Sequence, residues 1–223
     1  MKIGHPWQGR RVEWQAAGGT TAVCGVLAEW GQDVLVLYEE NNERYYYVPL
    51  VQTRKLRLLS EGEEPAPVKA EQPLVPRGER ASYRKALMGA RGVYAEIGVS
   101  GGSIYGYLSG IMNDFFVFCS PACSSIFIPL HHLKYISPTN KPSAPYNLTA
   151  EQFPLRPASM GMARTFDQQL RKLEGKFVML AIDEHDMMAG VLREASERTV
   201  DLTTADGRPV MVHIGSIRCL SLL

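Results

Sequence analysis

The chain has 223 residues, 45% of them hydrophobic and 21% charged, with a formal net charge of +1, a balance that supports folded cores and excludes wholesale disorder. No segment carries the basic excess of a nucleic-acid footprint, and no apolar run approaches the ~20 residues of a membrane span. The Met1-Lys2-Ile3-Gly4-His5-Pro6 start lacks a hydrophobic signal-peptide core, so a cytoplasmic protein with no membrane partner is expected.

Two proline-rich stretches divide the chain. Residues 60–80 and 139–162 read as linkers, the first with Glu61, Glu63, Glu64, Pro65, Pro67, Pro73 and Pro76, the second with Pro142, Pro145, Pro154 and Pro157. The first reads as a semi-rigid spacer. In the second, Tyr146, Leu148, Phe153 and Leu155 are apolar enough to dock on a neighbouring surface. Between the linkers lie blocks 7–59, 81–138 and 163–223.

Each block opens on a candidate strand: Arg11-Val12-Glu13-Trp14, Val93 to Ile97, and Phe177 to Ile182. A second strand follows around Gly25-Val26-Leu27, Gly106-Tyr107-Leu108 and Gly190-Val191-Leu192. Eight residues after each glycine stands Asp33, Asp114 or Arg198, and then a third strand, Val34 to Leu37, Phe115 to Phe118, or Thr199 to Leu202. The fourth strands are Tyr46 to Pro49, Ser125 to Pro129 and Val210 to His213, and seven residues further on Leu56, Ile136 and Leu220 mark the closing strands. Spacing held this closely over three blocks establishes an internal repeat. The expected fold is all-β, with three tandem five-stranded barrels.

Short helices precede two of the blocks. Phe166, Leu170 and Leu173 fall at i, i+4 and i+7 with Thr165 as N-cap, and Ser82 to Met88 is a weaker copy.

Helix, five strands, the glycine-led second strand and a short turn before the last strand together resemble the Sm-like (Hfq/LSm-type) family of small SH3-like barrels, most closely over 166–223. The three blocks also resemble uncharacterised spore-associated proteins of Bacillus-type bacteria. The first resemblance implies RNA as a ligand and rings in which strand four of one unit pairs with strand five of the next. The second implies a place in sporulation or the spore coat. Around the RNA-binding positions this chain has Gly31-Gln32-Asp33-Val34, Met112-Asn113-Asp114-Phe115 and Ser196-Glu197-Arg198-Thr199. Only Asn113-Asp114 matches the expected pair, in reversed order. Near the last strand His213-Ile214-Gly215 stands where the Hfq-type stretch would be.

Other motifs have plain readings. Cys119 and Cys123 lie on a hairpin about seven residues, or ~23 Å at strand rise, from His131-His132, so free thiols rather than a tetrahedral zinc site are expected. Asp183-Glu184-His185-Asp186 reads as a polar turn, and the Gly98 to Ser103 stretch as a glycine-rich hairpin, because a strand rather than a helix follows it. Tyr45-Tyr46-Tyr47 alternates across a strand and should show aromatic surface on one face, beside Trp7, Trp14 and Trp30. Pro49 and Pro129 would limit strand pairing at the ends of their strands.

The sequence therefore describes a non-enzymatic scaffold or protein-interaction protein, without catalytic, cofactor or metal residues. Its expected interaction surface is Trp30, Tyr45, Tyr47, Asn113, Asp114 and His213. The expected partners are other proteins or a second copy, two chains giving a six-barrel ring, with RNA binding of Sm/Hfq type as the alternative.

Overall fold

The computed structural model describes residues 5–18, 21–59, 72–76, 78–99, 102–121, 125–139, 161–183 and 186–222. In chain order, the first block holds β1 (Arg11–Ala16), β2 (Ala22–Trp30), β3 (Val34–Glu39), β4 (Arg44–Pro49) and β5 (Thr53–Leu58). The second holds α1 (Tyr83–Ala90), β6 (Tyr94–Val99), β7 (Gly102–Ile111), β8 (Phe115–Cys119), β9 (Ile126–Pro129) and β10 (Tyr135–Pro138). The third holds α2 (Phe166–Lys172), β11 (Phe177–Ala181), β12 (Met187–Ala195), β13 (Thr199–Thr203), β14 (Pro209–His213) and β15 (Cys219–Leu222). A 3-10 turn separates the last two strands of each block, at Leu50–Gln52, Leu130–His132 and Ile214–Ser216. Neither helix is long and apolar enough to cross a membrane.

The chain forms two compact units, residues 1–98 with 133–140 and residues 99–132 with 141–223. In the first, antiparallel strands run in the order β6-β10-β4-β3-β2-β1-β5; in the second, β14-β13-β12-β11-β15-β9-β8-β7. The middle block thus gives α1, β6 and β10 to one unit and β7, β8 and β9 to the other.

Equivalent residues solve equivalent problems in each block. A Cβ on Gly25, Gly106 or Gly190 would lie 2.5, 2.0 or 2.5 Å from the carbonyl oxygen of Tyr38, Cys119 or Thr203, so the close approach of the third strand permits only glycine. Gly9, Gly92 and Gly175, at φ of 82°, 74° and 78°, turn the chain into the first strand. The second strand is bulged after Leu27, Leu108 and Leu192, which lets it bend and serve both of its neighbours.

The expected closed barrels are not formed. In the first and third blocks the strand order is 5-1-2-3-4, and the outer strands four and five of a block do not pair with each other. Instead β4 pairs with β10, and β9 pairs with β15. Five strands per block follow from the alternating pattern, but alternation leaves open which edges meet.

Each core follows from this arrangement. Val12, Trp14, Leu27, Leu35, Leu37, Tyr46 and Val48 are buried together in the first unit, and Tyr135 of β10 joins them. In the second unit Val178, Leu180, Leu192, Val200, Leu202 and Leu220 pack with Phe166, Leu170 and Leu173 around α2, and with Phe115, Val117 and Phe127 from β8 and β9. Side chains of this kind contribute about 1.5–3 kcal/mol each on burial. The first core thus takes one side chain from β10, and the second takes several from β8 and β9.

The α1 N-cap is Ser82, whose Oγ accepts from Lys85 N–H at 3.4 Å. Thr165, expected to cap α2, makes no side-chain capping bond. The stretch read as a spacer is partly packed: Leu74 and Val75 are buried, and Leu74 N–H donates to the Tyr47 hydroxyl at 3.1 Å.

Candidate protein interface

Two strand seams, one in each unit, have the same register. In the first, Tyr47 of β4 stands opposite Ile136 of β10; in the second, Phe127 of β9 stands opposite Leu220 of β15. Tyr47 and Phe127 occupy one repeat position, Ile136 and Leu220 another, and all four are fully buried. Pairing is short, as expected from Pro49 and Pro129, which end β4 and β9.

The first seam is polar. Arg44 Nη2 donates to Glu96 Oε2 at 2.6 Å and to Ser137 Oγ at 3.0 Å, and the Tyr135 hydroxyl donates to Glu96 Oε1 at 2.7 Å. The guanidinium lies 5.3 Å from the centre of the Tyr46 ring, which meets Tyr135 edge-on. Burial pushes the Tyr46 phenol up to about 12, and Tyr47 rises for the same reason. Charge-assisted bonds of this kind are strong where water is excluded.

Among the described residues the second seam has no ion pair at the equivalent place. Met179 replaces Glu96 and Ser221 replaces Ser137. Below it, His132 Nε2 lies 3.3 Å from the Gly215 carbonyl, with the His131 ring 4.0 Å away. Burial, then the neighbouring His131, depresses His132 to about 4, so the ring is neutral near pH 7.

A second device ties successive blocks. Asp33 Oδ1 accepts the Tyr83 N–H at 2.7 Å, and Asp114 Oδ1 accepts the Phe166 N–H at 2.9 Å, so each caps the first turn of the next helix. Backbone bonds repeat beside them, Gln32 N–H to Ala81 O at 2.7 Å and Asn113 N–H to Arg164 O at 3.0 Å. The role expected of Thr165 belongs to Asp114. In the third block the position is held by Arg198.

The strand order leaves β14 and β5 at the sheet ends, and among the described residues no strand pairs with their outer sides. Met211, which occupies the place of Tyr47 and Phe127, is 69% exposed. β5 presents Arg54, Lys55 and Arg57, with Arg57 2.9 Å from Glu13 on β1.

Of the expected surface residues, Asn113, Asp114 and His213 are exposed and Trp30 is half-buried. Tyr45 and Tyr47 are buried, because β4 is covered on both faces; Tyr47 lies on the seam and Tyr45 against Tyr38 at 4.9 Å. Trp30 stacks on His5 at 3.7 Å and flanks the first core. Asn113 and Asp114 serve the α2 junction, so the best match to an RNA-binding pair is engaged in helix docking. His213 Nδ1 accepts from Gly215 N–H at 3.2 Å and caps a 3-10 turn. The interface residues missed in the sequence are Arg44, Glu96, Tyr135 and Ser137; the repeat of Glu13 at Glu96 was their one signal.

Cys24, Cys119 and Cys219 carry reduced thiols, and Cys123 lies outside the described residues, as do Glu184 and His185. Asp183 Oδ1 accepts from Asp186 N–H at 2.9 Å, a turn bond. Among the described residues no group of three or more His, Cys, Asp or Glu is gathered to hold a metal. A cavity of about 720 Å³ lies between α1 and the 72–76 segment, lined by Leu74, Val75, Pro76 and Met88; its Glu79 and Lys85 pair with each other at 2.5 Å.

The model of a family described as the YwrJ third domain matches residues 165–220, which span α2 to β15. Over 209 residues, 92% of each chain, the sequence is 32% identical to a protein of Bacillus subtilis (strain 168) named "Uncharacterized protein YwrJ". The likeness covers nearly the whole chain, and on that extent the chain belongs to the YwrJ family.

Proposed function

We propose that the protein is a non-enzymatic scaffold assembled from three Sm-like β units that join through strand edges, within the chain and between copies. The observation that carries this reading is the repeated seam: strand four of one block accepts strand five of the next twice, in one register. An edge strand is a template for further pairing unless it is blocked. Two edges of the right kinds, a strand four in β14 and a strand five in β5, stand at the sheet ends. Against RNA as the partner stands the engagement of Asp114 with α2.

Sedimentation velocity across the micromolar range tests the reading. Wild-type protein is expected to exceed the 24.8 kDa of one chain as concentration rises. Met211→Lys, which places a charge where seams bury an apolar side chain but lies on the exposed edge, should stay at one chain's mass with an unchanged circular dichroism melt. Wild-type protein that remains at 24.8 kDa throughout would end the between-copy reading.

A further inference from the structure

The ion pair of the first seam has its two halves repeated at the sheet ends. Strand pairing fixes the equivalences. Tyr47 and Met211 stand opposite Val36 and Asp201, and counting back from them, Arg44 corresponds to Arg208. Glu96 stands opposite Ser137, and Glu13 opposite Arg57, so Glu13 corresponds to Glu96. The arginine of the Arg44–Glu96 pair therefore recurs just before β14, and the glutamate on β1 beside β5. The second seam lacks both: its residue in the place of Glu96 is Met179, and Ser124, outside the described residues, takes the place of Arg44.

We propose, resting on the edge-joining reading above, that β14 of one copy receives β5 of a second copy with Met211 opposite Leu56, locked by an Arg208 to Glu13 ion pair between the copies. Charge complementarity and the two internal precedents select a second copy as the occupant. The groups are placed for it. Arg208 is 84% exposed, and among the described residues its guanidinium is held by Asp206 at 3.6 Å. Glu13 uses Oε2 for both Arg57 and Gln15, leaving Oε1 for a further donor. The contact is heterologous, one edge meeting a different one, so each copy offers both halves.

This joint is weaker than the internal seams. Lys55 and Arg57 sit where Tyr135 and Ser137 stand in the first seam, and charges on an edge oppose pairing. The outward face of β13 carries Thr199 and Asp201 where β8 carries Phe115 and Val117, and among the described residues no helix packs there as α2 packs on β8. Association is therefore reversible and dependent on salt.

A charge exchange tests the joint in the full chain. Arg208→Glu alone and Glu13→Arg alone each place like charges at the joint and are expected to weaken self-association by about tenfold or more, as read by sedimentation. Mixed in equal amounts, the two variants make both possible joints complementary, and association should return; the double variant should associate by itself. Glu13→Gln serves as the milder variant should Glu13→Arg lower the melting temperature. If wild-type protein associates but the reversals change nothing, or mixing fails to restore it, the register is wrong while edge joining stands. If wild-type protein never associates, edge joining between copies fails as well, and β14 is a terminal edge.

Discussion

The two internal seams and the two sheet ends are made from the same repeat positions, yet they bury very different amounts. At the seams Tyr47 and Phe127 are fully buried, whereas Met211 at the end is 69% exposed. Asp33 and Asp114 cap a helix, whereas among the described residues no helix start is bonded by Arg198. Position in the run, rather than position in the block, decides what a residue contributes. Natural repeat arrays show the same division between interior units and ends.

The sharpest contrast is predicted between Phe127→Ala and Met211→Ala. The first opens a cavity in the second core, beside β15, and should cost about 3–5 kcal/mol in urea unfolding. The second should change stability by no more than about 0.5 kcal/mol. Equal effects would erase the distinction between seam and end.

Within the seams the contrast is one of charge. Glu96→Ala removes the carboxylate partner of Arg44 and the acceptor of the Tyr135 hydroxyl in a mostly buried setting and should cost about 3 kcal/mol. Glu13→Ala, at the equivalent end position with a half-exposed partner, should cost under about 1 kcal/mol.

Helix capping is smaller again. Asp33→Ala and Asp114→Ala should each lose about 1 kcal/mol, and Arg198→Ala should lose nothing measurable. The same chemical denaturation series reads all three.

A further contrast depends on pH. Folded His132 stays neutral down to about 4, while the unfolded ring takes a proton near 6.5. The unfolded state then binds more protons between these values, so stability is constant above pH 6.5 for this group and falls as pH drops toward 4. Wild-type protein should lose melting temperature across that window more steeply than His132→Gln. Parallel curves would remove the histidine from the second seam.

Strand content and the repeat were legible because alternation and the glycine spine act locally: Gly25, Gly106 and Gly190 are needed wherever a neighbouring carbonyl approaches within contact distance. Edge pairing was not, because a closed barrel and an open row satisfy the same alternation. Asp33 and Asp114 were visible as a repeated polar position, but their partners lie 50 and 52 residues away, beyond any local pattern. Arg44 and Glu96, 52 residues apart, were hidden for the same reason. Tyr45 and Tyr47 misled because alternation assumes one wet face, and β4 has none.

Amide hydrogen exchange of the full chain at rising concentration tests the central claim most directly, since it reads strand edges separately. β4 and β9 should be protected at every concentration, and β5 and β14 should gain protection together as concentration rises. Protection of β5 and β14 that does not change with concentration, or that appears on one edge alone, would contradict strand-edge joining between copies.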